Sequence, residues 1–130
     1  MKELNILLFK IKDQLFGIDA EEIVEVMEYE NIDYGSETMI ITYLGDVLGL
    51  EEEINSSDNK KIIVSNCNGE LMGFIVDEVI QLQRVPENSV HNAPKILLTD
   101  QNGFIDKFCI ANDQLFPMIN LAKLSVFINK

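Results

Sequence analysis

Residues 71–83 read LMGFIVDEVIQLQ, and residues 15–27, LFGIDAEEIVEVM, lie over them without a gap. Leu15 matches Leu71, Gly17 matches Gly73 and Glu22 matches Glu78, while Ile23, Val24 and Val26 meet Val79, Ile80 and Leu82. Each copy reads as an apolar strand with a central glycine, an acidic bend, and a second strand rich in Val and Ile. A strand–bend–strand phrase written twice in one short chain predicts a duplicated all-β protein.

Period two extends outward from both copies. Residues 4–11 and 14–18 alternate or run apolar around Lys12 and Asp13, which predicts a hairpin. Residues 61–66 and 71–76 flank Asn68 and Gly69, the pair that a type I′ turn prefers because both central residues take positive φ. Gln101, Asn102 and Gly103 predict another turn, and 104–111 with 114–119 a third hairpin around Asn112 and Asp113. The tetrapeptide DQLF occurs at 13–16 and again at 113–116.

Two segments leave the pattern. YLGDVLGL at 43–50 and NLAKLSV at 120–126 space apolar residues three and four apart, so each predicts a short helix after a strand. The acidic, aperiodic stretch EEEINSSDN at 51–59 reads as a linker. The expectation is a single domain over 1–130, with one subdomain at about 1–50 and a second at about 60–130. Short strands spaced about ten residues apart suit small barrels or a sandwich. Each half is too small to hold much core by itself, so the two must share an apolar surface.

Composition narrows the function. At 130 residues the chain can bury a real core, and 47% hydrophobic with 25% charged residues is ordinary for a folded soluble domain. A net charge of -12 repels phosphate, which disfavours nucleic acid and anionic membranes as partners. The apolar runs fall far short of the ~20 residues of a membrane span, and no signal peptide is legible. Cys67 and Cys109 stand apart in strand-like surroundings, as reduced, buried thiols of a cytoplasmic protein do.

Reactive constellations are missing from the sequence. The single histidine, His91, falls in a loop-like stretch with no nucleophile elbow nearby. The acidic pairs Glu21 and Glu22, and Asp77 and Glu78, are neighbours that would point to opposite sides of a strand, so solvated bends are expected. The stretch at 100–103 begins like a calcium loop, but Ala111 stands where the bidentate acid would be. No cofactor, no metal and no enzymatic activity are expected. Surface remains as the working part, through strand edges and apolar patches.

The stretches LLFKIKDQLFGIDAEEIVEVM, YLGDVLGL, KIIVSNCNGELMGFIVDEVIQLQRVPE and GFIDKFCIANDQLFPMINLAKL together resemble the CheW-like domain, the adaptor of bacterial chemotaxis that also forms the regulatory domain of the CheA kinase. The resemblance implies two SH3-like β-barrels around a common core and no catalysis. It implies a scaffold linking chemoreceptors to the histidine kinase CheA, with the receptor's cytoplasmic tip held in a groove between the barrels. Carried over by position, Ile23, Glu25 and Met27 match the edge offered to the kinase regulatory domain. Gly73, Phe74, Val76 and Val79 match the receptor groove.

One departure stands out. Residues 31–39 replace a longer family segment that carries an Asn-Leu-Arg-Gly hairpin, and the chain's only arginine, Arg84, lies in the other half. The first barrel is therefore expected to be open, and unpaired strand edges attract another strand, so self-association or completion by a partner is expected there. A divergent relative that has lost one coupling surface and acts as a structural or competing array component is the alternative. A small ligand-binding or catalytic barrel would need a polar pocket converging on His91 or the acidic pairs.

Overall fold

The computed structural model describes residues 2–29, 39–48, 60–67, 69–92, 104–111 and 113–128. Ten strands and two short helices follow one another as β1 (Glu3–Ile11), β2 (Gln14–Asp19), β3 (Glu25–Glu28), β4 (Met39–Tyr43), α1 (Leu44–Val47), β5 (Lys61–Cys67), β6 (Glu70–Val76), β7 (Glu78–Pro86), β8 (Val90–Asn92), β9 (Lys107–Ala111), β10 (Gln114–Met118) and α2 (Leu121–Ile128). The first sheet runs β7-β1-β2-β10-β9-β8 and the second β3-β5-β6-β4.

The predicted hairpins form. Ile11 pairs with Gln14 across Lys12 and Asp13, both at positive φ (51° and 68°), as a two-residue turn matched to strand twist requires. Cys67 pairs with Glu70, with Gly69 at φ 91°, and Ala111 pairs with Gln114, with Asp113 at φ 63°. The two DQLF copies thus share a local cause, an aspartate in left-handed conformation closing a hairpin before a strand. Asn68, Asn112 and the turn predicted at 101–103 lie outside the described residues, as does the linker at 51–59. Both predicted helices are present, and Asn120 caps α2 by accepting from the Lys123 N–H at 3.1 Å.

The repeat crosses between the sheets. Residues 15–27 leave the first sheet in β2 and enter the second in β3, whereas 71–83 leave the second in β6 and enter the first in β7. Parallel pairs complete the correspondence, β10 on β2 before α2 and β4 on β6 before α1. The sheets are therefore not the two halves of the chain. Strands from before and after 51–59 are interleaved in both, so the expected division at that stretch does not separate one sheet from the other.

Two cores explain the apolar runs. Leu7, Phe9, Ile11, Phe16 and Ile18 pack between the sheets against Ile63, Met72, Phe74, Val76 and the α2 residues Leu121 and Leu124. Ile6 and Leu8, on the other face of β1, pack with Val85, Cys109, Phe116 and Met118. Alternation fades in β1 because both of its faces are buried. Gly17 permits a close approach between strands: a Cβ there would lie 2.8 Å from the Phe116 ring, 2.9 Å from Ile6 and 2.9 Å from Met118 Sδ.

Candidate partner-docking site

A short 3-10 turn at Ala20–Glu22 leads, through Ile23 and Val24, into β3. Asp19 shapes that turn by accepting from the Glu21 N–H at 3.0 Å, and the Ser65 hydroxyl donates to the Glu22 carbonyl at 2.7 Å. The chain then lays four residues along β5, with Glu25 opposite Val64 and Met27 opposite Ile62. Ile23 is partly buried against the inter-sheet core, Glu25 is exposed and Met27 half-buried. Val24 and Val26 are exposed as well, at 57% and 42%, although their alternation with Glu25 predicts an inward face. Glu28, next along, is held by both carboxylate oxygens on Lys61 Nζ at 2.5 and 2.6 Å.

The residues assigned to a receptor groove separate into two kinds. Phe74 and Val76 are each 0% exposed, in the core between the sheets, so a partner docking on the folded chain cannot touch their side chains. Both lie, with Met72, on the face of β6 turned to that core, whereas Leu71 on the other face of the same strand is 39% exposed. Gly73 is buried at the centre of β6, between Val64 and Ile41. Val79 is half-buried on β7 opposite Phe9, one residue past a β-bulge that leaves Ile80 unpaired.

Both acidic bends are built into the joints between the sheets. Asp77, in the β6–β7 crossover, accepts from the Lys12 N–H and the Tyr43 hydroxyl, each at 2.8 Å, while its own N–H donates to the Lys10 carbonyl. Glu22, in the β2–β3 crossover, is half-buried, and its carboxylate stands 3.5 Å from the Leu121 N–H at the start of α2. Burial pushes the Glu22 carboxyl above the usual carboxylate range, the Leu121 N–H opposes this, Asp19 and Asp106 add to it, and Lys107 opposes it. The expected solvated bends are thus half-buried fasteners. Glu78 is exposed at the head of β7.

His91 lies in β8, not in a loop, with its ring stacked on Phe108 at a centroid distance of 5.5 Å. Cys67 and Cys109 are buried free thiols, and burial raises the Cys109 pKa. Among the described residues, no group of three or more His, Cys, Asp or Glu side chains is arranged to hold a metal ion. Nor is any helix there long and apolar enough to cross a membrane. Of the residues 31–39 on which an open first barrel was expected, 31–38 lie outside the described residues, and β4 begins at Met39.

A family model described as the CheW-like domain matches residues 5–127. Among solved structures, the chain is similar to the scaffolding protein TtCheW from Thermoanaerobacter tengcongensis, at 22% identity and a TM-score of 0.74, covering 91% of this chain and 89% of that one. The shared architecture is the pair of SH3-like barrels into which the two sheets curl. Comparison with curated protein sequences returned no match.

Proposed function

The chain belongs to the CheW-like domain family, and from that premise we propose that it is a cytoplasmic chemotaxis adaptor, coupling a chemoreceptor's cytoplasmic tip to the regulatory domain of a CheA-like histidine kinase. The family is one of non-enzymatic scaffolds, so the work is done by protein–protein contact. The observation that carries this reading is the family match over 5–127. On β3, Glu25 and the half-buried Met27 would meet the kinase domain, with Ile23 anchoring the strand from below. Val79 and the exposed residues around it would meet the receptor, with Gly73, Phe74 and Val76 supporting the groove from inside.

The test is capture of each partner by the full chain: an isolated CheA regulatory domain in one assay and a receptor-tip fragment in the other. Retention of both is expected. Retention of neither would end the adaptor reading, and retention of one alone would replace it with a component that has lost a coupling surface.

A further inference from the structure

β3 is a short strand with little of its own to hold it in register. It lies along β5 over four residues, of which Glu25, Val26 and Glu28 are exposed and Met27 is half-buried. Where neither face of a strand is deeply buried, register is weakly specified, and a slip of one residue turns every side chain to the other face. At the far end, the contact between Glu28 and Lys61 is exposed and holds weakly. Ahead of the strand, Ile23 packs on the inter-sheet core, but apolar contact has no direction and does not choose a register.

A directional contact does exist at the point of entry. Val64 stands opposite Glu25, yet its carbonyl accepts the Val24 N–H at 2.7 Å, so two residues of the incoming segment share one residue of β5, as in a β-bulge. The next residue of β5 is Ser65, which is 2% exposed and whose hydroxyl donates to the Glu22 carbonyl at 2.7 Å. Cys67 Sγ, 3.9 Å from the same hydroxyl oxygen, adds only a weak contact. Packing does not fix the turn in place, because a cleft of about 170 Å³ bordered by Glu22, Ile23, Val24, Ser65 and Leu121 opens beside it. Without the hydroxyl, the Glu22 carbonyl loses its partner and has room to move.

We infer that Ser65 is a positioning residue for β3. Its hydroxyl pins the Glu22 carbonyl, fixes the bulge at Val24 and Glu25, and so sets the face on which Glu25 and Met27 meet the kinase regulatory domain. This rests on the adaptor reading, in which β3 meets that domain, and adds to it a buried side chain that touches no partner.

Ser65→Ala in the full chain tests the assignment, with Ser125→Ala as its control. Ser125 is also 2% exposed and its hydroxyl donates to a carbonyl at 2.7 Å, that of Ala122, but within α2. Each variant loses one buried hydroxyl bond, and thermal melting shows both folded with similar losses. Ser65→Ala weakens capture of the isolated kinase regulatory domain roughly fivefold or more, the equivalent of one hydrogen bond. Ser125→Ala does not, and capture of the receptor-tip fragment is unchanged in both. In the unbound Ser65→Ala chain the Val24 amide exchanges faster with solvent, while the amides of the β5–β6 ladder do not. Ser65→Thr keeps the hydroxyl, has the cleft to take its methyl, and binds as the wild type does. Kinase capture by Ser65→Ala equal to wild type, an equal loss in Ser125→Ala or Ser65→Thr, or unchanged Val24 exchange would overturn the assignment and leave the adaptor reading standing. A wild type that captures no kinase domain would end both.

Discussion

The Tyr43 hydroxyl donates to Asp77 at 2.8 Å, binding the last residue of β4 to the crossover between β6 and β7. Asp77 also holds the tip of the β1–β2 hairpin through the Lys12 N–H. One carboxylate therefore joins both sheets at the point where the chain changes from one to the other. Asp77→Ala leaves two donors without an acceptor, and a loss of about 2–4 kcal/mol is expected by urea denaturation. Tyr43→Phe removes one of the two bonds and costs about 1 kcal/mol.

Gly17 is a packing constraint, not a turn residue. Gly17→Ala drives a methyl into Phe116, Ile6 and Met118 Sδ, all under 3.0 Å. A loss of about 1–3 kcal/mol follows, with the denaturant slope unchanged. An alanine variant as stable as the wild type would mean that these three side chains yield without cost.

Glu22 sets a pH dependence. Burial raises its folded-state pKa, so the fold favours the protonated acid. Below its unfolded pKa the group is neutral in both states and contributes nothing. As pH rises through the folded pKa, stability is lost, and the loss persists at neutral pH. Glu22→Gln is therefore more stable than the wild type at pH 7, and the difference closes as pH falls below the ordinary glutamate range. Paired thermal melts across that range read the effect, and a gain that survives at low pH would assign it to packing instead.

Docking and core residues separate by experiment. Phe74→Ala empties a fully buried site and costs about 3–5 kcal/mol. Glu25→Lys, on the exposed face of β3, leaves the melting curve within about 0.5 kcal/mol of wild type but weakens capture of the kinase regulatory domain. Equal binding by Glu25→Lys and wild type would remove β3 from the kinase contact.

What the sequence determined by itself is local. Hairpin positions follow from the φ demands of Asp13, Gly69 and Asp113, helix starts from Asn120 and the change of period, and the duplication from residues 15–27 and 71–83. Each of these is settled within a few residues of chain. Only the tertiary structure decided which sheet each strand joins, because the same strand–bend–strand phrase crosses from the first sheet to the second in one copy and back in the other. That crossing buries Phe74 and Val76 between the sheets, draws Asp77 and Glu22 into the joints, and leaves Ile80 and Leu82 on an edge. A Val or Ile at an alternate position looks the same in sequence whether its strand is interior or outermost, since burial depends on the neighbour that long-range pairing supplies.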